Sequence, residues 1–127
     1  MRLLLDTHTL IWWLGRSSRL GRAATDAISD PTTDVLVSAA SAWEIAIKRA
    51  VGKLEAPTDL AERIAINSFQ PLPISVEHGE RAGALPLHHR DPFDRMIIAQ
   101  AQAERATVVT ADPRFAAYDV TVLPAQS

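Results

Sequence analysis

The sequence predicts an α/β domain built on a short central parallel sheet, and three observations predict it. Short continuous apolar runs, such as residues 3–5 and 107–110, alternate with amphipathic stretches at helical spacing. Such runs read as strands buried on both faces, as parallel strands covered by helices are. Prolines and glycines stand between these segments as punctuation, and no repeat, low-complexity tract or linker interrupts the 127 residues. With 47% hydrophobic residues, residues 1–127 can bury one core without disulfides, so one domain is expected.

The first strand, 3–5, ends at Asp6, and Leu10, Ile11 and Leu14 make 8–14 a helix. A second helix is predicted over 20–29, after which Pro31 and its small polar neighbours turn the chain into a strand at 35–37. Ser41 opens a helix running to about Val51, and Gly52 closes it. Asp59 and Glu62 mark a further helix start, ending before Phe69, and residues 72–74 form a short strand between prolines. Ser75 caps the next helix. Asp91 and Pro92 begin the longest one, to about Arg105. A strand at 107–110, a short helix near Phe115 and a last strand at 120–123 complete the alternation.

Composition narrows the function classes. The chain has no cysteine, which excludes thiolate zinc sites and cysteine nucleophiles and fits a reducing, cytoplasmic setting. The apolar start is cut off by Asp6 and the next apolar stretch is too short for a membrane span or signal core, so no membrane association is expected. A net charge of −2 lacks the basic surplus of many nucleic-acid binders, although 11 of the 13 basic residues are arginines, whose planar fork suits phosphate. Arginine richness also follows from a high-GC genome. No Gly-rich phosphate loop or dinucleotide fingerprint is present.

The acids are organised by the fold. Asp6 ends the first strand and Asp112 lies two residues beyond Thr110, while Glu44 and Asp94 fall in the first turns of predicted helices. In an open parallel sheet these positions share one edge, where ligands collect. Like charges within about 4 Å repel by roughly 4 kcal/mol at an effective dielectric near 20, so such a cluster holds protons or binds a cation. All-oxygen donors suit Mg²⁺ or Mn²⁺.

Each acid also has a purely structural reading. Ser41-Ala42-Trp43-Glu44 fits a capping box, and Glu44 can pair with Lys48 one turn on. Asp91-Pro92-Phe93-Asp94 reads as an N-cap, a first-position proline and a dipole-favoured acid. Asp6 and Asp112 can each cap the helix that follows. What favours the joint reading is Asp6, a charge set directly after three leucines where a buried strand emerges. His8, His88 and His89 are read as solvent-facing loop residues, with no His-Glu-x-x-His helix to make a zinc set. Trp12, Trp13 and Trp43 are read as mostly core, though adjacent Trp12 and Trp13 cannot both face one core from a single helix.

Four strings, Leu4-Leu5-Asp6-Thr7-His8, Ser38-Ala39-Ala40-Ser41-Ala42-Trp43-Glu44-Ile45, His89-Arg90-Asp91-Pro92-Phe93-Asp94-Arg95 and Thr110-Ala111-Asp112, resemble in order and spacing the PIN-domain family, specifically the VapC toxins of bacterial toxin–antitoxin pairs. The resemblance spans almost the whole chain. It implies a compact PIN-like parallel-sheet fold, a Mg²⁺- or Mn²⁺-dependent endoribonuclease acting on RNA, inhibition by a cognate antitoxin protein, and a homodimer. Carried over, Asp6 and Asp94 are principal metal ligands, Glu44 a ligand or neighbouring acid, and Asp112 the fourth and most variable acidic position. Thr7 and Thr110 match hydroxyl positions beside the site, and Asp91 is the cap that aims Asp94.

The expected chemistry is in-line attack of water on an RNA phosphorus, leaving a 5′ phosphate and a 3′ hydroxyl, with the acids as ligands and orienters because no histidine occupies a matching position. Arg95, Arg114 and Lys48 are candidate phosphate contacts. Two alternatives stay open. A Mg²⁺-dependent phosphatase or phosphoacceptor domain of the haloacid type needs a second aspartate where this chain has His8. A noncatalytic binding module would use the acids only as helix caps.

Overall fold

The computed structural model describes residues 1–126. Five strands form one sheet in the order β3-β2-β1-β4-β5, and every neighbouring pair is parallel. They are β1 (Arg2–Leu5), β2 (Asp34–Ser38), β3 (Gln70–Leu72), β4 (Thr107–Thr110) and β5 (Val122–Pro124). The helices are α1 (Thr7–Leu14), α2 (Arg22–Ser29), α3 (Ala39–Ala50), α4 (Leu60–Ile66), α5 (Val76–Ala84) and α6 (Pro92–Glu104), with a 3₁₀ turn at Pro113–Ala117.

Central strands in a two-sided sheet bury both sets of alternating side chains. Leu3 and Leu5 join Val35, Val37 and Val109 in a core with Leu10 of α1, Ile28 of α2, Ile45 of α3 and Ile64 of α4. Leu4, Leu36 and Val108 face the other way, against Ile97, Ile98 and Ala101 of α6 and Phe115. Leu3, Leu4 and Leu5 are all fully buried, and at roughly 1.5–3 kcal/mol per side chain this run anchors the sheet centre.

The element order agrees with the sequence prediction, and the differences lie at boundaries. The strand expected at 72–74 is Gln70–Leu72, because pairing with β2 ends at Ser38↔Leu72 and Pro73 has no N–H to continue a ladder. The third helix starts at Ala39 rather than after Ser41, since the Ser38 hydroxyl accepts the Ala40 N–H and is the N-cap. β5 lies at Val122–Pro124, shifted from 120–123 by its register with β4.

The strand order reverses direction at β1, whose neighbours β2 and β4 lead into α3 and, through Asp112, into the 3₁₀ turn. The chain therefore diverges at the carboxyl end of β1, and a crevice opens there.

Candidate active site

Asp6 leaves β1 at this crevice. Its Oδ1 accepts the Thr9 N–H at 2.9 Å as the cap of α1, and its Oδ2 accepts the Thr110 hydroxyl at 2.5 Å. Both oxygens are thus held, and the residue is 4% exposed. Asp112 lies across from it, its N–H bonded to the Thr110 hydroxyl at 3.0 Å. Thr110 therefore ties the two acids to one strand end.

Glu44 projects from the second turn of α3. Its Oε2 pairs with Lys48 Nζ at 2.6 Å, whereas its buried Oε1 has no hydrogen-bond partner. The expected capping-box role is not what Glu44 does, because Ser38 takes the cap. Asp94 is likewise not a cap: Asp91 Oδ1 accepts the Phe93 and Asp94 N–H groups at 2.8 and 3.2 Å. Helix capping accounts for Asp6 and Asp112 but not for Glu44, which pairs with Lys48, or for Asp94, whose first-turn place suits the helix dipole.

Asp6, Glu44, Asp91, Asp94 and Asp112 line one cleft of about 380 Å³, with His8, Trp12, Arg19, Lys48 and Arg114 on its walls. Burial, then the charges of Asp91, Asp6, Glu44 and Asp112, push the Asp94 carboxyl up to about 7. Asp112 moves the opposite way, to about 2, chiefly because the Arg114 side chain bonds it. Arg114 forks onto it with Nε to Oδ1 at 3.0 Å and Nη2 to Oδ2 at 2.8 Å. A larger groove of about 550 Å³ lies beyond Trp12, among Trp13, Leu20, Arg63 and Ile66, but no carboxylate lines it.

Three expectations are corrected here. His89, read as a solvent-facing loop residue, is 2% exposed and lies among the acids, its Nε2 2.9 Å from Asp94 Oδ2 and 3.1 Å from Asp112 Oδ2. A histidine does occupy the site. Arg95, read as a phosphate contact, is buried, and its guanidinium donates to the carbonyls of Ala82, Leu85, Pro86 and His89. It closes the end of α5 and the loop that follows. Trp43, read as core, is 62% exposed and meets Phe93 edge-on at 5.2 Å between ring centroids. Trp13 does turn inward, against Phe69, with its indole N–H on Asn67.

Sequence reasoning gave His89 and Arg95 the wrong surroundings because their partners lie in other elements. One local signal was available for the histidine, which stands two residues before a capping aspartate, where its Nδ1 accepts the Asp91 N–H at 3.2 Å.

Fold and cleft together define an α/β domain organised around converging carboxylates. A family model described as PIN domain matches residues 3–120. Ribonuclease VapC22 of Mycobacterium tuberculosis (strain ATCC 25618 / H37Rv) is 33% identical over 119 residues, 87% of either chain. VapBC2 from Rickettsia felis, solved with a DNA fragment from its promoter, superposes with a TM-score of 0.68 at 17% identity, covering 97% of this chain and 98% of that one. VapBC-5 from Mycobacterium tuberculosis, a member of the VapBC family of toxin–antitoxin systems, gives 0.62 at 22% identity over 99% and 98%. The chain belongs to the PIN domain family.

Proposed function

We propose that this protein is a toxic endoribonuclease of a toxin–antitoxin pair, hydrolysing RNA phosphodiester bonds with Mg²⁺ or Mn²⁺. The observation that carries the reading is the convergence of Asp6, Glu44, Asp94 and Asp112 on one cleft, where Glu44 Oε1 lacks a partner and Asp94 is raised by burial and then by its acidic neighbours. An all-oxygen set with an orphaned buried oxygen and unneutralised charge fits a hard divalent cation. Asp6, Glu44 and Asp94 would hold it, with Asp112 the fourth acid of the set. The ion supplies charge stabilisation at the scissile phosphate and a more acidic water.

The chain's own groups do the rest. Thr9 and Thr110 fix the Asp6 oxygens so that they need no reorganisation. Lys48 and Arg114, on the cleft walls, neutralise RNA phosphates. Water attacks phosphorus in line with the 3′ oxygen, leaving a 5′ phosphate and a 3′ hydroxyl. His89 is no general base, because its Nδ1 lone pair is taken by the Asp91 N–H and its Nε2 carries the proton. The relative named as a ribonuclease supports the RNA substrate.

The same reading makes residues 1–127 one PIN domain working in the cytoplasm beside a VapB-like antitoxin, as in the VapBC assemblies it resembles. Among the described residues no helix is long and apolar enough to cross a membrane. Exposed Trp43 and Ile47 on α3 support a homodimer, since exposed apolar side chains grouped on one helix mark contact surfaces.

Purified protein on RNA, with Mn²⁺ or with EDTA, tests the reading together with Asp6→Asn and Asp94→Asn. Cleavage in Mn²⁺ only, lost in both variants, is expected. Cleavage persisting in EDTA, or full activity in both variants, overturns it.

A further inference from the structure

We propose that His89 is a positioning residue that clamps the site through its Nε2 edge, bonding Asp112 and packing against one Asp94 oxygen, and so leaves the other Asp94 oxygen to the cation. This rests on the metal-dependent reading above.

Every polar atom of His89 has an assigned partner. Its backbone N–H donates to the Tyr118 hydroxyl at 2.8 Å and its carbonyl accepts Arg95 Nη1 at 3.1 Å. The ring stands edge-on to Phe115, 5.9 Å between centroids. Nδ1 accepts the Asp91 N–H, which leaves the proton on Nε2. Although the ligand atoms of His89, Asp94 and Asp112 lie within 4.8 Å of one another, a protonated Nε2 has no lone pair for a metal and acts as a donor to Asp112 instead. It donates to Asp112 Oδ2 at 3.1 Å and lies against Asp94 Oδ2 at 2.9 Å. With Oδ2 against the ring, Oδ1 is the Asp94 oxygen left to the cation.

The loop is braced from two sides to keep the ring there. Tyr118 also donates to the Pro86 carbonyl at 2.6 Å, and Arg95 gathers the carbonyls on either side of residues 87 and 88. Hydrogen-bond partners behind metal-binding groups typically set affinity by about 10- to 100-fold.

The test uses Mn²⁺ as probe, with free ion counted by electron paramagnetic resonance, in the wild type, His89→Phe and His89→Gln. Phe keeps the ring against Phe115 without a donor, and Gln restores an N–H donor. We expect His89→Phe to weaken Mn²⁺ binding on the order of 10-fold and to lower kcat on RNA with KM unchanged, and His89→Gln to recover most of both. Equal Mn²⁺ affinity in the wild type and His89→Phe overturns the clamp, as does a folded His89→Gln no better than His89→Phe. Nitrogen-15 shifts of the metal-free wild-type imidazole read the clamp without any variant: a Nε2–H tautomer is expected, and a Nδ1–H tautomer overturns it. A wild type that takes up no Mn²⁺ instead overturns the metal reading, while the tautomer still decides the clamp.

Discussion

Asp94, at the start of α6, and Asp112, at the exit of β4, both lie against His89 Nε2, yet one carboxyl is raised to about 7 and the other lowered to about 2. The His89 bond helps to lower Asp112, after the Arg114 contacts. Contact with water does not separate the two, since the side chains are 20% and 19% exposed. Asp94 has more protein packed around it and is crowded by other acids, whereas Asp112 has the Arg114 fork on its outer side. The α6 side is therefore a rigid, charge-frustrated region braced from beneath, and the β4 side is a neutralised one. A cation relieves the first and has little to relieve in the second.

Breaking the bracing has the largest expected effect. Arg95→Met leaves the Ala82, Leu85, Pro86 and His89 carbonyls without their donor and is expected to destabilise the fold by about 4 kcal/mol, read from urea unfolding. No comparable loss is expected from the exposed Arg114→Met. Next in size, Asp94→Asn is expected to lower the rate of RNA cleavage on the order of 100-fold, near 3 kcal/mol in barrier. Asp112→Asn should cost no more than about 10-fold, one further tenfold step below it. Equal losses at both positions would erase the contrast between the two regions.

Stability against pH sharpens it. Because folding raises the Asp94 carboxyl from 3.8 to about 7, its favourable contribution is complete below about pH 4 and disappears as pH climbs through 7. In EDTA at pH 8, Asp94→Asn should thus stabilise the protein by about 2 kcal/mol, after allowance for solvent screening, and by little at pH 4. Asp112 carries the opposite sign: its contribution is present above 3.8 and is lost as pH falls through about 2. For this outer carboxylate Asp112→Asn should cost only about 1 kcal/mol at pH 7, visible in the same unfolding curves.

The two regions were unequally legible in the sequence. Residues 3–5 followed by Asp6, and Asp91-Pro92 as a helix start, are local patterns, and the structure places a central strand and a capped helix there. The gathering of Asp6, Glu44, Asp94 and Asp112 in one cleft could be anticipated because a parallel sheet sends its strand exits to one edge. His89 and Arg95 were hardly legible, since the one local mark of His89 is its place two residues before the capping Asp91, and nothing local separates a carbonyl-binding arginine from a solvent-facing one. Trp43 was misread for the converse reason: an aromatic in a helix implies burial only when the helix presents that face to the core, and here it does not.

The cleft joins residues as far apart as Asp6 and Arg114, and Tyr118 is needed to hold the His89 loop. A chain emerging from the ribosome in order exposes β1 and α3 long before β4 exists to pair with β1. The cleft is thus among the last features completed during synthesis, so a truncated or stalled product ending before Thr110 is expected to be inert, with competence following only once nearly the whole domain is free to close.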